Sequence, residues 1–152
     1  MLVKDIMTQD VICAKPDETI EEVAKTIIQH KISGLPVVNE NHEVVGMVTE
    51  GDLLVRNKKL HIPSSIQLLG GVIFLENPRI FEEELKKAVA VKVEELMTTE
   101  VHSIGPDAPV EEAATLMYEQ HFNRLPVVED KKLVGIISRW DIVNYLVKKH
   151  QG

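Results

Sequence analysis

Apolar residues fall at Ile20, Val23, Ala24, Ile27 and Ile28, the spacing of one stripe on an amphipathic helix. Thr19 opens that helix, with Glu22 three residues on to return the bond as a capping box, and Gly34 is expected to break it. Upstream, residues 11–14 form a short apolar run closed by Lys15-Pro16-Asp17, the pattern of a brief strand. Downstream, the unbroken apolar run 35–38 predicts a buried strand. Asn39-Glu40-Asn41-His42 predicts a hairpin turn and 44–48 the partner strand. A second helix is expected after Thr49. The same succession returns later in the chain. A strand is expected at Val101, then a helix carrying Val110, Ala113, Ala114 and Met117, strands at 125–128 and 133–137, and a helix after Ser138. Pro109, in place of Thr19, suits the first helical position. The order is β-α-β-β-α, twice, which makes the fold class α+β.

The pattern repeats because the sequence does. Met7-Thr8, Pro16-Asp17, Glu21-Glu22, Leu35-Pro36-Val37-Val38, Val45-Gly46 and Asp52 recur as Met97-Thr98, Pro106-Asp107, Glu111-Glu112, Leu125-Pro126-Val127-Val128, Val134-Gly135 and Asp141. The offset between copies shortens by one residue after the turn near residue 41. A fixed-offset repeat is read before any other fold signal, and a duplicated unit is expected to pack as a pseudo-twofold pair with helices outside the sheets. The copies span 1–56 and 93–152, joined by a connector at 57–92. Within it, 64–75 is apolar around Gly70-Gly71, and Asn77-Pro78 predicts a helix over 78–90 with Asn as cap. So long a connector is rarely structureless; its apolar run either folds over the paired core or forms a surface for a second subunit. Gly70-Gly71 lacks the Lys and hydroxyl of a phosphate loop.

Composition narrows the class of function. The chain has 152 residues, 44% hydrophobic and 27% charged, enough for a buried core and unlike a disordered segment. A net charge of -7 argues against nucleic acid or an anionic membrane as principal partner, since both attract basic surfaces. No apolar run is long enough to cross a bilayer, so no membrane insertion is expected. Met1-Leu2-Val3-Lys4-Asp5 lacks the basic and apolar regions of a signal peptide. Cys13 is the sole cysteine; it suits a reducing cytoplasm and reads as a buried small apolar residue of a strand.

Few residues can carry chemistry. The six histidines are scattered, with no pair at ligand spacing on one helix face, so no metal site is expected. No nucleophile elbow is present, and Glu21-Glu22 and Glu111-Glu112 lie in first helical turns, where negative charge complements the helix dipole. The reading is therefore not an enzyme. The most specific local pattern is G-h-h-[ST]-x-x-D, with h apolar, at Gly46–Asp52 and again at Gly135–Asp141. It is either an ordinary capping box with Asp in place of Glu, or a strand end that offers a hydroxyl, helix amides and a carboxylate to a ligand, the carboxylate accepting ribose hydroxyls and the amides a phosphate.

Asp5-Ile6-Met7-Thr8, Ile32-Ser33-Gly34-Leu35-Pro36-Val37-Val38 and Gly46 to Asp52, with their second copies Glu95-Leu96-Met97-Thr98, Phe122-Asn123-Arg124-Leu125-Pro126-Val127-Val128 and Gly135 to Asp141, resemble the tandem CBS (cystathionine β-synthase) domain pair, the Bateman module. The match covers nearly all of the chain outside the connector, as in a free-standing pair. The resemblance implies a regulatory module that senses an adenine nucleotide (AMP, ADP or ATP) between the repeats and signals to an unidentified partner protein, dimerising as a homodimer in the cytoplasm. No cofactor is required. An S-adenosylmethionine-type ligand, or a ligand-free structural and interaction module, are the other readings.

Carried over residue by residue, the resemblance implies two unequal clefts. The first would hold the base against Ile12, Ile32 and Ser33, with Ser138 and Asp141 at the ribose. Arg124 stands where relatives such as the gamma subunit of AMP-activated protein kinase carry a phosphate-binding Arg, whose guanidinium makes paired charge-assisted bonds. The second would use His102, Phe122 and Asn123 for the base and Thr49 and Asp52 for the ribose, with Gly34 in place of the Arg. The first cleft is expected to bind well and the second weakly or not at all. The position before the Asp, basic in some relatives, is Gly51 in one copy and Trp140 in the other; Trp140 reads as a cleft wall, a dimer contact or a partly exposed packing residue. Arg139 reads as an exposed helix-start residue within reach of a phosphate or a second subunit. With so little positive charge, a monophosphate or nucleoside fits more easily than a free triphosphate.

Overall fold

The computed structural model describes residues 1–56 and 91–152. The apolar run at 64–75 and the helix expected at 78–90 lie outside the described residues. The described elements are α1 (Val3–Ile6), α2 (Ile20–His30), β1 (Gly34–Val38), β2 (Val44–Thr49), α3 (Glu50–Arg56), α4 (Val93–Leu96), α5 (Val110–Gln120), β3 (Arg124–Glu129), β4 (Lys132–Ser138) and α6 (Arg139–Gln151). They form a mixed structure of small sheets and helices: β1 pairs with β2 and β3 with β4, each as a two-stranded sheet.

Packing groups these elements into two compact units, neither of them a continuous stretch of chain. One comprises Met1–Cys13, Val38–Val45 and Glu100–Gly152; the other comprises Ala14–Val37 and Gly46–Thr99. In the first, Val3 is fully buried among Ile104, Val110, Ala113, Met117, Leu125, Val127, Ile137 and Ile142, and α1 packs on α6 and β4. In the second, Val93 and Leu96 are buried, as are Ile20, Val23, Ile27, Leu35 and Val48, and α4 packs on α3. Each short helix is thus a core element of a unit built mainly from the other copy of the repeat. The tie is hydrogen-bonded as well as apolar. Thr8 exchanges two 2.9 Å backbone bonds with Ile136, and Thr98 exchanges two with Met47.

The helices form where the apolar stripe predicts, with differences at their ends. Thr19 caps α2 and Glu22 returns the bond, at 3.3 and 3.1 Å. The helix closes at Lys31, which takes the left-handed conformation (φ 53°), so Gly34 does not break it and instead begins β1. Ile28, assigned to the buried stripe, is 76% exposed: it lies one residue past Ile27, about 100° further round the helix. Pro109 is the N-cap of α5, extended at ψ 146°, and not its first helical residue.

The strands expected at 11–14 and Val101 are not formed. Each is reduced to one parallel bridge, Ala14 to Val37 and Ile104 to Val127. The reason lies in the strand they meet. Pro36 and Pro126 each accept a 3.0 Å bond on that side, from Ala14 and Ile104, but have no amide to give back, so the ladder cannot extend. Cys13 accordingly stands outside any strand and is half-buried.

Candidate functional site

The residues singled out for ligand contact fall in both units, and each unit presents its own set. In the first unit, β3 and β4 run antiparallel with Arg124 opposite Ser138. The start of α6 is fixed there by a 2.9 Å bond from the Arg139 amide to the Asn123 carbonyl. Asn123, Arg124, Ser138 and Asp141 are therefore gathered at one end of one hairpin. Ser138 caps α6 and Asp141 answers it: the Ser138 amide and hydroxyl donate to Asp141 Oδ2 at 2.7 and 2.9 Å. Asp141 Oδ1 accepts no hydrogen bond among the described residues. Beside this group, the His102 and Phe122 rings sit 5.1 Å apart, tilted by 41°; His102 is exposed and Phe122 half-buried, as is Ile12.

In the second unit, the Glu50 amide donates to the Ser33 carbonyl at 2.9 Å, the counterpart of the Arg139–Asn123 bond. Ile32 and Ser33 are half-buried. Thr49 and Asp52 cap α3 as Ser138 and Asp141 cap α6, with the Thr49 amide donating to Asp52 Oδ2 at 3.0 Å. Here the copies part company. Asp52 Oδ1 accepts the Thr98 hydroxyl at 3.0 Å, so both of its oxygens are engaged.

The repeated pattern G-h-h-[ST]-x-x-D is thus a capping box in both copies, and only one of them leaves a carboxylate oxygen open within its unit. Thr98 is the functional neighbour that sequence reasoning did not single out. Its signal was present in the recurring Met-Thr pair, which carries no hint of a partner forty-six residues upstream.

Arg124 and Gly34 differ for a reason visible in the backbone. A side chain at Gly34 would place its Cβ 2.7 Å from the Val48 carbonyl oxygen, so the second unit has no room for a guanidinium at that position. Arg139 is the exposed first residue of α6, as expected, and it donates through Nε to the Phe122 carbonyl at 2.8 Å and through an Nη to the Met117 carbonyl at 3.5 Å. It closes the C-terminal end of α5, where a cation complements the helix dipole. Trp140 is 69% exposed. The carboxylates of Asp5 and Glu95 accept the Leu2 and Lys92 amides at 2.8 and 3.1 Å and so serve helix starts. Among the described residues no group of three or more His, Cys, Asp or Glu is placed to hold a metal ion, and no helix is long and apolar enough to cross a membrane.

Comparison with known proteins places this geometry. An uncharacterized protein of Methanocaldococcus jannaschii is 34% identical over 97% of this chain and 92% of its own. Among solved structures, Arabidopsis thaliana CBSX2 in complex with AMP superposes with a TM-score of 0.75 at 28% identity, covering 98% of both chains. The CBS domain pair of protein MJ0100, in complex with 5′-methylthioadenosine and S-adenosyl-L-methionine, does so with a TM-score of 0.70 at 29% identity, again over 98% of both. The CBS domain model matches residues 3–58 and again 93–148, the two stretches that the internal repeat delimits. With its duplicated hairpins, paired capping boxes and cross-packed short helices, this chain belongs to the CBS-domain family.

Proposed function

We propose that the protein is a regulatory module that binds one adenine nucleotide of the AMP, ADP or ATP class and signals its level to a partner protein, working as a cytoplasmic homodimer without catalysis. The observation that carries this reading is the difference between the two carboxylates. Asp141 keeps Oδ1 unpartnered among the described residues while Ser138 holds Oδ2, so it can accept ribose hydroxyls without losing its cap. Asp52 has already filled the same position with Thr98.

Arg124 stands opposite Ser138 and supplies the positive charge for a phosphate; Ile12, Ile32 and Ser33 offer half-buried apolar surface and backbone for the base. Thr49, Asp52, His102, Phe122 and Asn123 form the weaker set. The AMP complex of CBSX2 supports the ligand class. The MJ0100 complex supports a second reading, a sulfonium or thioether adenosine in place of a nucleotide. Under either reading the hydroxyls of Thr49 and Ser138 are engaged as helix caps, each donating to the carboxylate of its own capping box.

A thermal-shift series separates these readings. AMP, ADP or ATP is expected to raise the melting temperature in proportion to the logarithm of its concentration, and Asp141→Ala to abolish the rise. A shift with S-adenosylmethionine alone selects the second reading. No shift with any adenosine ligand contradicts both.

A further inference from the structure

Beside α6 the first unit carries a groove that shares only Asp141 with the nucleotide set. Its volume is about 650 Å³, within the range of small-molecule sites. From α6 it is lined by Asp141, Asn144, Tyr145 and Lys148, whose spacing of three, four and seven residues puts them on one face of the helix. Asp5 and Ile6 line it from α1, the short helix that packs on α6.

Four charges border this space, two of each sign: Asp5 and Asp141, Lys148 and Lys149. None of the four forms an ion pair among the described residues, where the pairs are Lys4 with Asp107 and Lys25 with Glu21. Asp5 accepts the Leu2 amide on Oδ2 at 2.8 Å and keeps Oδ1 open, as Asp141 does beside Ser138. The Lys149 ammonium lies 5.7 Å from the centre of the Tyr145 ring, a cation–π contact that leans the side chain back along the helix toward Asp141. Asn144 adds an amide able both to donate and to accept. Ile6 and the Tyr145 ring, which packs against the core, supply an apolar wall. A simple anion entering the groove meets two carboxylates, and a simple cation meets two ammonium groups. A small molecule that carries both charges satisfies both sets.

We propose that the groove is a second ligand site, for a free α-amino acid with a large apolar side chain. The amino acid's ammonium group donates to Asp5 Oδ1, and its carboxylate accepts from Lys148 with Asn144 alongside. Its side chain lies on Ile6 and the Tyr145 ring. Neither Asp5 nor Lys148 belongs to the nucleotide set, so the site stands apart from the nucleotide reading.

Titration calorimetry of the full chain with L-leucine, L-methionine and L-phenylalanine tests it, run at two temperatures so that a vanishing enthalpy is not mistaken for no binding. At least one of the three is expected to bind at one per chain with a Kd below about 1 mM. Its amide, which lacks the carboxylate, and its deaminated acid are each expected to bind about tenfold or more weakly. Asp5→Asn keeps an acceptor for the Leu2 amide and removes the charge, and Lys148→Gln keeps most of the stem. Each is expected to weaken amino-acid binding by about tenfold or more and to leave AMP binding unchanged. No heat with any of the three at either temperature overturns the site. Binding that survives both substitutions overturns its location, and equal binding of the amide or the deaminated acid overturns the zwitterionic ligand. Failure of the nucleotide reading would appear with AMP alone and leave the amino-acid heats unchanged.

Discussion

At the scale of single residues, the close neighbours of three glycines explain more than the conformational freedom usually credited to glycine. None of the glycines among the described residues has a positive φ. Gly46 and Gly135 instead leave space for Met97 and Met7, whose sulfurs would overlap any added Cβ. Gly34 faces a backbone oxygen that cannot swing aside. Gly34→Ala is therefore expected to destabilise the protein by about 1–3 kcal/mol, as overpacking does. Gly105→Ala, where a Cβ meets nothing within 4 Å, is expected to stay within about 0.5 kcal/mol of the parent. Chemical denaturation of the two variants side by side checks the contrast. At this scale the sequence announced the glycines as part of a motif but not the reason for them, because a steric limit belongs to atoms brought close by the fold.

At the scale of elements, periodicity was a sound guide to what exists and a poor one to how it ends. The α2 and α5 stripes at Ile20, Val23 and Ile27 and at Val110, Ala113 and Met117 are buried as expected. Both helices nevertheless stop on a non-glycine in the left-handed conformation, Lys31 at φ 53° and His121 at φ 58°, which no stop signal in the sequence marks. That conformation disfavours an L-residue, so His121→Gly is expected to stabilise the fold by up to about 1 kcal/mol, read as a raised denaturation midpoint.

The turns show the opposite case, where one missing residue was legible and its cause was not. In the first copy Asn39 pairs with Glu43 around a three-residue loop that ends on left-handed His42. In the second, Glu129 pairs with Lys132 and the two residues between, Asp130 and Lys131, are both left-handed. That is the two-residue turn whose twist suits a hairpin. The shortened offset between the repeats is this change of turn. The failed strands at 11–14 and Val101 were illegible for a related reason: apolar runs look alike whether or not the strand beside them is interrupted by proline.

For the whole molecule, the repeat in the sequence and the compact units in space are different divisions. The family match and the internal repeat agree on the copies, yet Val3 completes a core made largely of the second copy, and Val93 one made largely of the first. No periodicity reports such an exchange, since it depends on contacts between distant segments. It has a consequence for dissection. A fragment of residues 93–152 lacks Val3, α1 and the Thr8 pairing to Ile136, and leaves part of its core uncovered; each buried methyl or methylene so exposed forfeits about 0.8 kcal/mol. Such a fragment is expected to melt without a cooperative transition by circular dichroism, where the full chain melts sharply. A sharp transition in the fragment would show that α1 is dispensable.

The candidate site divides in the same way. The types of its residues were readable from the motif, and so was the contrast between Arg124 and Gly34. The engagement of Asp52 by Thr98, and of Arg139 by the end of α5, was not, because each partner comes from another element. The first contact makes the two carboxylates unequal, and the second gives the Arg139 guanidinium two carbonyl partners.

Titration calorimetry with AMP, on the parent and on Asp141→Ala, tests that inequality most directly. The account predicts one nucleotide per parent chain, bound in the micromolar range, and none on the variant. Two nucleotides per parent chain, or equal binding by Asp141→Ala, would contradict it.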